Sequence, residues 1–163
     1  MKNTLIAFLL FTLTTPLFAQ EDHKGLNYET IEEAQKASKK DGKPILIDAN
    51  TLWCGPCKML AKSFEDKEVA AYLTENFHIV NFNAEGNEVI KFNGVTYENP
   101  DYKPENKFKR NSQHQLARKL NVTAYPTIMF VDSKGELFKT ELGYRTPAQL
   151  MDLLKAIVAD QSK

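Results

Sequence analysis

The only two cysteines of the chain, Cys54 and Cys57, stand three positions apart in the segment Trp53-Cys54-Gly55-Pro56-Cys57-Lys58. A structural disulfide usually closes a long loop and stabilises the fold by restricting the unfolded chain. This pair encloses only Gly55 and Pro56, so it contributes little in that way. The chemistry it suits is opening and closing. One thiolate attacks a foreign disulfide and the second thiol releases the product. The Cys54–Cys57 disulfide is then the whole redox group, and no cofactor is needed. His23, His78 and His114 are scattered along the chain, and with two cysteines they make a poor tetrahedral zinc set. No metal is expected.

Several neighbours bear on these sulfurs. Residues 44–48 read Pro-Ile-Leu-Ile-Asp, a continuous apolar run ending in an acid, which suits a strand buried on both faces. Past Gly55, the residues Met59, Leu60, Ser63 and Phe64 recur at helical spacing, with Met59, Leu60 and Phe64 expected in the core. A strand running into Cys-Gly-Pro-Cys and then a helix puts Cys54 at the helix N-terminus. Unpaired N–H groups and the helix dipole favour an anion there, and such placement lowers a cysteine pKa from about 8.5 to about 7 or below. Gly55 allows the tight turn, and Pro56 starts the helix without wasting a donor. Cys57, one turn in, should be the more buried, resolving thiol. Asp48 closes the apolar run, and burial would raise its pKa and fit it to take the Cys57 proton. The alternative is an exposed acid in a strand-end turn. Trp53 could merely pack, but beside Cys54 it reads better as an exposed platform for substrate.

The elements that must hold this site can be read outward from it. Residues 20–28 are polar, a loose lead-in with a short strand expected near Leu26. Thr30 and Glu33 form a capping-box pattern for a helix that Asp41-Gly42 ends. Asp66 can cap a further helix with Val69, Ala70 and Leu73 on one face. Residues 77–84 read as a strand. Asp132-Ser133-Lys134-Gly135 is a hairpin turn between strands at 127–131 and 136–142. Thr146 and Pro147 open a last helix with Leu150, Leu153, Leu154, Ile157 and Val158 on its apolar face. Strands alternating with helices and ending in a hairpin predict an α/β fold, with a central mixed sheet flanked by helices. Residues 85–111 break the alternation and read as an insertion. Asn93-Gly94 between alternating residues marks a small hairpin, followed by a polar loop. Its aromatics, Phe92, Tyr97, Tyr102 and Phe108, either cover the sheet or shape a substrate surface. The insertion is expected to set partner choice and to be dispensable for dithiol chemistry.

At 163 residues, the chain is one domain long. Lys and Arg number 21, and so do Asp and Glu, so the formal net charge is zero. A nucleic-acid binder would carry a basic excess, and none is expected as a partner. Lys103, Lys107, Lys109 and Arg110 form the one basic cluster; it is diluted by Asp101 and Glu105 and reads as a solvated loop. Residues 5–11 are densely apolar, and Leu17-Phe18-Ala19 precedes Gln20 like a cleavage site. Residues 1–19 are therefore expected to be a signal peptide and 20–163 the mature domain. The run is too short to span a membrane. Export implies the periplasm of a Gram-negative bacterium, or secretion otherwise.

Asp48, the Trp53-Cys54-Gly55-Pro56-Cys57-Lys58 segment and Tyr125-Pro126-Thr127 together resemble the thioredoxin family. Taken alone, Pro126 would pass for an ordinary trans proline entering a strand. The resemblance implies a thioredoxin-like fold from about residue 30 to 159, with the insertion lying before the proline. It implies a cis Tyr125–Pro126 bond beside the sulfurs and a backbone edge at Tyr125 that pairs with substrate. With it come Trp53, Gly55, Pro56, Tyr125 and Pro126 as substrate-binding residues and Cys54, Cys57 and Asp48 as catalytic ones. The segment 41–77 is similar to exported thioredoxin-like proteins and to the soluble domain of membrane thiol:disulfide interchange reductases. The implied activity is reduction of disulfides in protein substrates by a monomer that draws electrons from a membrane thiol:disulfide donor. A disulfide donor or isomerase is the enzymatic alternative, and a binding protein or chaperone with a redox switch is the non-enzymatic one. Two departures stand out. Asn81 occupies the place where many thioredoxins have a lysine near the buried acid, and Ala49-Asn50 lacks the aromatic that usually follows that acid.

Overall fold

The computed structural model describes residues 25–161. The expected signal peptide, its cleavage point and His23 lie outside the described residues. Helix α1 (Ile31–Asp41) begins at Thr30, whose hydroxyl accepts from the Glu33 N–H while the Glu33 carboxylate accepts from the Thr30 N–H. It stops at Gly42, whose φ of 80° is left-handed backbone that glycine adopts without penalty. Strand β1 (Ile45–Asn50) follows, then α2 (Gly55–Phe64) and α3 (Lys67–Asn76), the latter capped by Asp66 as its sequence suggests. Strand β2 (His78–Asn83) leads to a hairpin of β3 (Ile90–Phe92) and β4 (Val95–Tyr97). A short 3-10 turn at Pro104–Asn106 precedes α4 (Gln115–Lys119), β5 (Thr127–Val131), β6 (Leu137–Leu142) and α5 (Pro147–Gln161).

The main sheet has the order β2-β1-β5-β6. Strand β1 runs parallel to β2 and antiparallel to β5, and β6 pairs antiparallel with β5. This is the mixed sheet expected. Strand β1 is central, and every residue from Ile45 to Ala49 is buried. Because side chains alternate along a strand, β1 feeds two cores. Ile45, Ile47 and Ala49 pack with α1, α4 and the β3–β4 hairpin. Leu46 packs with Leu60 and Phe64 of α2, with α3, and with Leu150, Leu154 and Ile157 of α5. Asp48 shares the Leu46 face, so the acid points toward the layer that contains α2.

Three expectations are corrected. No strand forms near Leu26; the lead-in meets the sheet through one backbone bond, Glu29 N–H to Ile79 O at 2.8 Å. Met59 is 52% exposed, because the core-facing stripe of α2 is carried by Cys57, Leu60, Ser63 and Phe64 alone. The insertion is no mere appendage, since Ile90 and Phe92 are buried in the α1-side core and Tyr97 packs against it. Of the two readings left open for the aromatics, Phe92 fits the cover, while Phe108 is 71% exposed. The Asn93-Gly94 turn forms as expected, with φ of 52° and 80°. Asn93 also donates to Gly135 O at 2.7 Å, which clips the hairpin tip to the β5–β6 turn.

Candidate active site

Cys54 is the N-cap of α2, and Pro56 lies in the first turn. The chain therefore leaves β1, turns through Thr51 and Leu52, and points the Cys54 sulfur at the open N-terminus of the helix. The Cys57 N–H donates to Cys54 Sγ at 3.1 Å. That donor is one of the helix N–H groups with no partner inside the helix. A negative sulfur at this place receives a hydrogen bond and the positive end of the helix dipole together. The two cysteines are joined as a disulfide. Cys57 was expected to be the more buried, but Cys54 is 3% and Cys57 4% exposed in this state, since the bond draws both sulfurs together.

Asp48 is 2% exposed, which rules out the exposed strand-end alternative. Burial pushes its carboxyl from the ordinary 3.8 up to about 7, opposed only in part by a hydrogen bond from Asn50. Asn50 Nδ2 lies 3.2 Å from Asp48 Oδ2 and 2.7 Å from Asn81 Oδ1. Asn81 is the β2 register partner of Asp48. Asn81 thus reaches the acid only through Asn50. Asp48 Oδ1 has no hydrogen-bond partner among the described residues. Among the described residues no positive charge holds the carboxylate ionised, so the protonated form is favoured well above the usual carboxylate range. Tyr28 was not singled out in the sequence, yet its phenol feels this acid. It is pushed up to about 12 by burial first, then by Asp48 and Glu65.

Trp53, Cys54, Gly55, Pro56 and Tyr125 meet in one cleft of about 480 Å³. The Tyr125–Pro126 bond is cis, and Pro126 is buried immediately before β5. Asp48 and Cys57 do not line the cleft. Trp53 is half-buried rather than a free platform. Its ring meets Tyr125 edge-to-face with centroids 6.0 Å apart, and its Nε1 donates to Glu85 Oε2 at 2.7 Å. The Arg110 guanidinium lies 5.0 Å from the centre of the indole ring. Burial, then the Glu85 charge, raises the Tyr125 phenol, while a hydrogen bond from Gln113 opposes this. Glu85 and Arg110 stand at the two ends of the insertion. Sequence reading missed both as site residues; the basic loop is exposed as expected, and it also carries Arg110 onto Trp53. No sequence spacing announces the contact, because the hydrogen bond joins residues 32 positions apart. Among the described residues, no group of three His, Cys, Asp or Glu side chains could hold a metal ion.

Comparison with known proteins agrees with this geometry. A family model for the thioredoxin-like domain matches residues 31–157. Thioredoxin of Acidithiobacillus ferridurans is 30% identical over 115 residues, covering 71% of this chain and 80% of that one. Thiol:disulfide interchange protein DsbD of Photorhabdus laumondii is 26% identical over 145 residues, covering 81% of this chain but only 21% of that relative's length. The solution structure of a thioredoxin from Thermus thermophilus superposes with a TM-score of 0.61 at 18% identity, covering 85% of this chain and 91% of that one. The chain belongs to the thioredoxin-like family of thiol–disulfide oxidoreductases, and Cys54 and Cys57 are its disulfide-forming pair.

Proposed function

We propose that the protein is an exported reductase of protein disulfides. The observation that carries the reading is Cys54 at the N-terminus of α2, with its sulfur receiving the Cys57 N–H at 3.1 Å. In the reduced protein the Cys54 thiolate attacks one sulfur of a substrate disulfide. The substrate's other sulfur leaves as a thiolate and takes a proton from water. Cys57 then loses its proton to the Asp48 carboxylate and attacks the Cys54 sulfur. The remaining substrate thiol is released, and the protein is left oxidised as the Cys54–Cys57 disulfide. Two electrons have passed from the dithiol to the substrate, and no cofactor takes part. A pKa of about 7 suits Asp48 to this step, because near neutrality it both accepts and returns a proton. Trp53, Gly55, Pro56, Tyr125 and Pro126 are proposed to bind the substrate chain, with the Tyr125 backbone pairing as an added strand.

A cycle of reduction needs a dithiol donor. We assign that role to a membrane thiol:disulfide protein, in keeping with the interchange-protein relative. Export rests on the apolar segment and the small residue before Gln20. The acting species is taken to be a monomer, periplasmic in a Gram-negative host. No described helix is long and apolar enough to cross a membrane. Reduction of insulin by the dithiol-loaded protein tests the activity, and the reduction potential tests its direction. A value near about −270 mV supports a reductase, whereas one near about −120 mV would show a disulfide donor.

A further inference from the structure

We infer that the cleft between Trp53 and the two ends of the insertion is a subsite for a carboxylate flanking the substrate cystine, with Arg110 as the recognising group and Glu85 as a positioning residue. The inference rests on the dithiol-exchange reading above. Arg110 and Glu85 line the same cleft as Cys54, yet their charges are used differently. Glu85 Oε2 is occupied by Trp53 Nε1 at 2.7 Å and by the Asn111 N–H at 2.8 Å. The two bonds fix the indole and the end of the insertion in place, while the Glu85 charge remains in the cleft. Arg110 is exposed and lies on the indole face. Among the described residues, no carboxylate forms an ion pair with it. A guanidinium that stacks on a ring keeps its in-plane N–H donors, and their fork matches a carboxylate.

The position is also built in advance. Asn111, the next residue, bonds Glu85 through its N–H and spans to Lys103 through both ends of its side chain. Asn99 closes the neck of the insertion by donating to Gly86 O and Ser112 O, both at 2.8 Å. Arg110 is therefore presented beside Cys54 by a tied loop, which lowers the ordering cost of binding. The occupant is a peptide with Asp or Glu within a residue or two of the cysteine under attack.

The test mixes the full-length, pre-reduced protein with three disulfides in single turnover at low salt: a cystine peptide flanked by Asp, the same peptide flanked by Lys, and hydroxyethyl disulfide as a neutral reference. Fluorescence of Trp53, the sole tryptophan, reports oxidation. The readout is the acidic-to-basic ratio of rate constants, each normalised to the neutral disulfide. The parent should favour the acidic peptide. Arg110→Gln should lower the ratio about two- to fivefold, the size of an exposed ion pair. Arg110→Lys should retain part of the preference and Arg110→Glu should invert it. Glu85→Gln keeps an oxygen to accept from Trp53 and Asn111 and removes a competing negative charge from the cleft, so it should raise the ratio. A parent without preference, or a ratio unmoved by Arg110→Gln and Arg110→Glu, overturns the inference while leaving the exchange chemistry standing. A reduced protein that reacts with none of the three disulfides overturns the exchange reading itself.

Discussion

Asp48→Asn should stabilise the oxidised protein at alkaline pH and slow its turnover, and the size of the first effect follows from burial. The carboxyl is 2% exposed, and its pKa stands at about 7 rather than 3.8. Between those two values the folded protein holds a proton that the unfolded chain releases. Stability contributed by the protonated acid is complete below about pH 4 and is lost as pH rises through about 7. Each pH unit in that window is worth about 1.4 kcal/mol, so the whole gap amounts to about 4 kcal/mol. Asparagine keeps the shape and never ionises, so the fall that Asp48 contributes should be missing from its profile. Urea unfolding of both proteins, with the disulfide intact so that no thiol titrates, reads the difference. The two stabilities should diverge from about pH 4 upward, with asparagine ahead and the gap levelling off above about pH 7. Stopped-flow exchange on the reduced proteins adds the second readout. Formation of the mixed disulfide should proceed in the variant while its resolution slows. Stability profiles that run parallel across this range would refute the burial argument, and unchanged resolution would refute the proton-acceptor role.

Asn50→Ala removes the hydrogen bond that favours ionised Asp48, so the Asp48 titration, followed by NMR of the labelled carboxyl carbon, should move to higher pH. Cys57→Ala should accumulate mixed disulfides through Cys54, and Cys54→Ala should accumulate almost none; equal trapping on non-reducing gels would contradict the assigned order of attack. Phe92→Ala should cost about 3–5 kcal/mol in urea unfolding, as for other buried phenylalanines, whereas Phe108→Ala should change stability by less than about 0.5 kcal/mol. Similar losses at both positions would show that the insertion does not divide into a core half and a solvent half.

What the sequence disclosed and what it withheld separate by range of interaction. Thr30 with Glu33, Asp66, Asn93-Gly94 and Thr146-Pro147 each act on backbone within a few residues, and each does in the fold what its local chemistry prescribes. The dithiol was legible for the same reason, since two cysteines on one helical turn and the strand that feeds them are contiguous. Asp48 lay between these cases. Its burial followed from the apolar run beside it, but the Asn50–Asn81 relay depends on the β1–β2 register and needed the sheet. Met59 was misplaced because helical spacing gives the width of an apolar stripe only approximately, and the neighbours that end the stripe come from other elements. The contacts of Glu85 and Arg110 with Trp53 depend wholly on tertiary placement. The insertion buries Ile90 and Phe92 on the α1 side of the sheet and returns its own ends to the cleft, so packing at one end fixes charge at the other. For that reason the insertion cannot be treated as a detachable specificity loop. Removing it would open the core and free Trp53 together. Single substitutions at Glu85 and Arg110 are the changes that separate substrate choice from stability.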